Sequence, residues 1–179
     1  MSAKTGMTQV IYRGYKVSQH DRNTWHHKLF LWIFRKLFGL WPPYFGTGIK
    51  IDKISTDYRH VEVSMKLHWY NQNYVGTHFG GSLYAMTDPF YMLILIQNLG
   101  KDYIVWDKAA YIEFKKPGRG KVSASFTFTE EEIQAVKHQA DMNEKFVFDK
   151  PVDVVDEKGI IVATIVKTLY VRKKISGSR

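Results

Sequence analysis

No stretch constrains this chain more than Leu83 to Leu99. Leu83, Met86, Phe90, Leu93, Ile94 and Gln97 recur at helical spacing, while Tyr84, Tyr91, Met92, Leu95 and Ile96 make the other faces apolar too. A helix that is apolar all round must be enclosed, so the remaining elements have to wrap around it. Asp88 and Pro89 interrupt the run, and two readings account for them. Asp88 can be the N-cap and Pro89 the first residue of a helix that starts there. Alternatively the helix runs through, with Pro89 removing the amide that would bond Ala85 and a kink presenting the Asp88 carboxylate into a cleft.

The residues just before this segment are a polar turn and a glycine pair, from Asn73 through Gly76, Thr77, His78 and Phe79 to Gly80 and Gly81. Asn73 and Gly76 are ordinary turn residues. Amides at the start of a helix lack intrahelical acceptors, so Gly80 and Gly81 could hold a carbonyl oxygen or an anion. Asp88 follows Gly81 by seven residues, which is ~10 Å along a helix. A carbonyl resting on the glycine amides is then out of reach of the same chain's Asp88. If the motif is catalytic, the acid must come from a second copy.

Composition sets the outer bounds. With 179 residues, 45% hydrophobic and 15% aromatic, the chain is one domain with a real core. The absence of Cys excludes disulfides and thiolate metal sites. His20, His26, His27, His60, His68 and His138 show no metal-ligand spacing, so no metal or cofactor is expected. Met1 to Val10 has no secretory pattern, and no apolar run reaches the ~18 residues of a spanning helix, so a cytoplasmic location is the expectation. A formal charge of +9 attracts polyanions. Nucleic acid is not expected among them, because there is no recognition motif and no basic block longer than Arg172-Lys173-Lys174.

Taken in order, residues 1–20 read as a loosely held arm, and Trp25 to Leu40 as a helix closed by Gly39 and stopped by Pro42-Pro43. Its run Leu29-Phe30-Leu31-Trp32-Ile33-Phe34 is read as packing across the domain or the oligomer. The alternative is a lid over a tunnel or an interfacial anchor, with Lys28, Arg35 and Lys36 at phosphate level. Ile49 to Ile54 form a short strand. In the next strand Val61, Val63, Met65, Leu67 and Trp69 face one way and Glu62 to Tyr70 alternate outward. After Gly100 come strand stretches over Tyr103 to Trp106 and then Ala109 to Lys116, followed by strands over Val122 to Phe128, Glu144 to Val155 and Ile160 to Lys173, with a short helix from Glu130 to Asp141 capped by Thr129. This order predicts an α+β domain with an antiparallel sheet over residues 46–175, an N-terminal arm and apolar helix over 1–45, and a tail over 176–179.

The pattern Asn73-x-x-Gly76-Thr77-x-x-Gly80-Gly81 followed by Asp88 resembles the hotdog-fold thioesterases of the phenylacetate-pathway type. It resembles more closely their uncharacterised DUF4442 relatives, which are taken to be tetrameric acyl-CoA thioesterases. The resemblance runs over residues 46 to 173. It implies a hotdog fold, in which an antiparallel sheet wraps a long central helix, and a homodimer or dimer of dimers that hydrolyses acyl-CoA, with coenzyme A entering only as part of the substrate. By position it makes Asn73 and the Gly80 or Gly81 amide the groups that polarise the thioester carbonyl, with Asp88 of the facing subunit as base or nucleophile. Better-studied members carry His immediately before the glycine pair, where this chain has Phe79, with His78 one residue earlier.

Around that core His78, Phe79, Ser82, Tyr84, Thr87 and Arg119 are expected to meet the substrate. Arg119, with Lys115, Lys116 and Lys121, is the candidate for the coenzyme A phosphates. Two other functions fit the same residues, and a third, a basic membrane-surface protein, would use the first helix. One is a hotdog protein that binds acyl-CoA without cleaving it; the other is a dehydratase or hydratase, which would need His78 to work with a carboxylate.

Overall fold

The computed structural model describes residues 24–174; the expected arm, His20 and the tail lie outside them. Thr24 caps the first helix, α1 (Trp25–Phe38), by accepting from His27 N, and Gly39 closes it. His27, Leu31, Phe34 and Phe38 turn inward. Pro42 and Pro43 do not merely stop α1: they open a single-turn helix, α2 (Pro42–Phe45), because proline lacks the amide that a first turn leaves unused anyway. Gly48, at φ +74°, then turns the chain into β1 (Ile49–Ile54).

β2 (His60–Lys66) pairs antiparallel with β1. Val61, Val63 and Met65 point into the core as the alternation requires, but the strand stops at Lys66. Leu67 is only half-buried and Trp69 is exposed, so the expected inward row is two residues too long. The reason is Asn71, a buried amide whose Nδ2 donates to Thr47 O and Lys66 O, both at 2.8 Å, and whose Oδ1 accepts from His68 N at 2.7 Å. Those bonds bend residues 67–71 away from the ladder.

The central helix is the main departure from the sequence reading. It is two pieces, α3 (Gly80–Ala85) and α4 (Phe90–Leu99), separated at a cis Asp88–Pro89 bond. Thr87 N donates to Tyr84 O and Asp88 N to Ala85 O, at 2.9 and 3.2 Å. These short-range bonds tighten and end α3 where Pro89 has no amide to continue it. Asp88 is not the N-cap of α4 either; Pro89 holds that position without a side-chain bond. The Tyr44 hydroxyl donates to the Asp88 carbonyl, tying α2 to the break.

β3 (Tyr103–Phe114) follows as one strand with an irregularity between Asp107 and Ala109. Then come β4 (Lys121–Thr127), α5 (Glu130–Met142), β5 (Phe146–Asp156) and β6 (Ile161–Lys173). Thr129 and Glu132 form a reciprocal capping box at the start of α5. The six strands make one antiparallel sheet of order β1-β2-β4-β5-β6-β3. Phe90, Tyr91, Ile94, Leu95 and Leu99 of α4 pack in a single core with Val63, Met65, Val122, Phe126, Ile165 and Leu169 of the sheet. The sheet thus covers one side of α4, while Met92, Leu93 and Ile96 are only half-buried, so the all-round enclosure its apolarity predicts is incomplete within one chain. β3 lies at one edge and has a strand partner on one side only, β6.

Candidate functional site

Along β6 the inward row reads Ile165, Lys167, Leu169, Val171, and each is at most 1% exposed. A lysine in that row must bring partners with it, since an unpaired ammonium in apolar surroundings is very costly. Its Nζ lies 2.8 Å from Asp107 Oδ2 and 3.1 Å from Asp88 Oδ1. It also stands 3.5 Å from the Tyr84 hydroxyl and 5.0 Å from the centre of that ring. Three elements meet there: β6 supplies the cation, β3 supplies Asp107 and the break after α3 supplies Asp88.

Asp107 shares the inward phase of Tyr103 and Val105, one residue before the ladder slips. Its carboxylate oxygens are buried, and among the described residues neither has a conventional hydrogen bond; the close ion pair with Lys167 is its support. Burial and the neighbouring Asp88 push the Asp107 carboxyl up to about 6, against the opposing pull of Lys167. Burial works to neutralise Lys167, but the two carboxylates outweigh it and its net shift is upward, so it stays charged. Asp88 differs from both in access, with 47% of its side chain exposed. The cluster therefore has one carboxylate open to solvent, one enclosed, and a fixed cation between them.

The glycine-pair loop is built from its own side chains. Asn73 Nδ2 donates to Thr77 Oγ1 at 2.9 Å and His78 O at 3.4 Å, while its Oδ1 accepts from Val75 N and Thr77 N, both at 3.1 Å. Its amide thus spends its donors on the loop. His78 is 2% exposed; one ring nitrogen lies 3.1 Å from Gly120 O, and burial lowers its pKa. With His78 N donating to Gly118 O, this residue pins the turn before β4 against the loop, which places exposed Arg119 beside it.

Gly80 and Gly81 occupy the first two positions of α3, where amides have no helical acceptor. A side chain at either position would press on a neighbouring ring. A Cβ on Gly80 would sit 2.8 Å from the Phe114 ring, and one on Gly81 would sit 2.4 Å from the Phe79 ring. Beside them a groove of about 470 Å³ is lined by Gly46, Thr47, Tyr70, Phe79, Gly81 and Ser82, among others. Ser82 and Thr87 are buried, and Thr87 Oγ1 donates to Tyr84 O at 2.8 Å. Phe79 is exposed and Tyr84 borders Lys167.

The fold thus joins Tyr84 and Asp88 directly through Lys167, and gathers Asn73, His78, Phe79, Gly80, Gly81 and Arg119 around the other end of α3. Sequence reasoning passed over Asp107 and Lys167. Their signal was nonetheless present: each falls on the inward phase of an alternating strand. Among the described residues no three His, Asp or Glu side chains converge in a way that could hold a metal ion.

A family model described as a domain of unknown function, DUF4442, matches residues 31–171. No curated protein matches the chain. Among solved structures, a protein of unknown function from Pseudomonas aeruginosa, PA5026, described as a probable thioesterase, superposes with a TM-score of 0.72 at 16% identity. That match covers 80% of this chain and 96% of the other. Thioesterase HI1161 from Haemophilus influenzae gives 0.58 at 17% identity, covering 82% and 92%. OLEI01261, a protein of unknown function from Chlorobaculum tepidum, gives 0.63 at 15% identity, covering 79% and 93%. At these identities the likeness is one of fold, and the fold is the hotdog.

Proposed function

The chain belongs to the DUF4442 family, and from the cluster at the break in its central helix we propose that it is an acyl-CoA thioesterase. The observation that carries this reading is a half-exposed carboxylate, Asp88, held at 3.1 Å by a buried lysine. A carboxylate so placed is oriented without being sealed off, as a general base or nucleophile must be.

In the proposed reaction the thioester carbonyl oxygen rests on the Gly80 and Gly81 amides. Asp88 takes a proton from water as the water oxygen bonds to the carbonyl carbon. The tetrahedral oxyanion collapses, the C–S bond breaks, and the thiolate leaves and is protonated to free coenzyme A. Donors aimed at such an oxyanion are typically worth ~2.7–4 kcal/mol, so the loop that places the amides matters as much as the acid. Asn73 serves this step by holding the loop, through its four bonds to Val75, Thr77 and His78. Lys167 fixes Asp88, and Asp107 balances the lysine.

The amides open α3 and Asp88 lies beyond its far end, a separation of ~9 Å for a helix of this length. Two copies joined along the free edge of β3, which presents Trp106, Tyr111 and Phe114 to solvent, would bring one chain's amides toward the other's acid. The basic turn of Lys115, Lys116, Arg119 and Lys121 adjoins the same loop and suits the coenzyme A phosphates. The test is thiol release from a panel of acyl-CoAs, aromatic and aliphatic, short and long. Hydrolysis of at least one class is expected; acyl-CoA that raises the melting temperature but stays intact would make this a binding protein instead.

A further inference from the structure

α1 is apolar on two sides. Its inner side packs His27, Leu31, Phe34 and Phe38 against the domain. Its outer side leaves Trp25, Leu29, Trp32, Ile33 and Leu37 exposed, and Trp41 and Phe45 continue that surface around the corner into α2. An exposed apolar face of this extent calls for a cover. The charges beside it indicate which one. Lys28 and Lys36 are exposed on the helix, with Lys36 Nζ 6.0 Å from the centre of the Trp32 ring. Arg35 is turned to β1, where it donates to Ile51 O at 3.1 Å. From Arg22 to Ile51 the chain has no acidic residue. A second copy laid helix to helix on this face would set like charges against each other, since this stretch has no carboxylate to answer them. An anionic lipid surface supplies both the apolar phase and the countercharge, and tryptophan beside lysine is the composition suited to that boundary.

We propose that the outer face of α1, continued by Trp41 and Phe45, docks flat on an anionic lipid bilayer surface. Among the described residues no helix is long and apolar enough to cross a membrane, and docking requires none to do so. The proposal does not rest on the thioesterase reading. It does have a consequence for it, since Tyr44, at the same corner, donates to the Asp88 carbonyl.

The experiment is co-sedimentation of the full chain with phosphatidylcholine vesicles, with and without phosphatidylglycerol. The protein is expected to pellet with the anionic vesicles, to be released by salt, and to stay in solution with phosphatidylcholine alone. Lys28→Gln and Lys36→Gln should each lower the partition coefficient about fivefold. Leu29→Asp with Ile33→Asp should abolish pelleting while leaving the melting temperature near that of the wild type, because neither side chain is in the core. Failure to pellet with either vesicle, or pelleting that the double aspartate variant leaves intact, overturns the proposal. So does a wild type that never pellets but loses half its mass in solution on that substitution, which would assign the face to a second copy.

Discussion

Lys167 Nζ, enclosed on the inward side of β6, lies 3.1 Å from Asp88 Oδ1 at the break in the central helix. This contact fastens the irregular segment between α3 and α4 to the middle of the sheet. It also explains how a carboxylate in an otherwise apolar run keeps one orientation while half of it faces solvent.

Removing the cation should be costly. Lys167→Met leaves Asp107 buried without its ion pair, and breaking such a pair typically costs about 3–5 kcal/mol. Urea denaturation should register a loss of that order. Adding Asp107→Asn should restore part of it, because the enclosed charge is then gone; the double-mutant cycle measures the coupling directly.

Asp107, pushed up to about 6 by burial and by Asp88, retains a proton in the folded state that the unfolded chain releases near 3.8. Its contribution to stability is therefore present below about 3.8 and is lost as pH rises through about 6. If the cluster serves the reaction, kcat/KM should rise with pH through the same region as Asp107 sheds its proton. Asp107→Asn should remove that acidic limb, since the group that titrates there is gone while Lys167 still holds Asp88. A limb that Asp107→Asn leaves in place would separate Asp107 from the reaction.

The glycine pair gives a steric prediction. In Gly81→Ala the new methyl would meet the Phe79 ring at 2.4 Å, and overpacking of this kind costs about 1–3 kcal/mol unless the neighbour yields. Phe79 is exposed and can turn away, so melting temperature should fall modestly. Thiol release should fall further, because the ring's displacement disturbs the loop that places the amides. Gly81→Ala with Phe79→Ala should recover stability.

Much of this was legible in the chain. The all-round apolarity of Leu83 to Leu99 required a wrapped helix, and the alternation at Val61 to Met65 and Val122 to Phe128 gave the inward faces of two strands. The break at Asp88 was harder, because local sequence offers proline as a helix start and as a kink; the outcome depends on Tyr44 and Lys167, far away in the chain. Asp107 and Lys167 were readable as inward positions, but a charged residue in a strand suggests solvent until its partner is known, and that partner comes from another strand. Asn71 and Asn73 are asparagines two positions apart, equally suited by type to a turn. Only the fold distinguishes the first, which ties β2 to the turn before β1, from the second, which closes its own loop.

In the proposed reaction Asp88 does the chemistry on a thioester. Free-thiol release from acyl-CoA by Asp88→Asn, beside the wild type and at matched folded fraction, tests it most directly. A loss of at least about a hundredfold is expected, the lower end for a positioned acid–base group, with the melting temperature changed far less than in Lys167→Met. Full activity in a folded Asp88→Asn protein would contradict it.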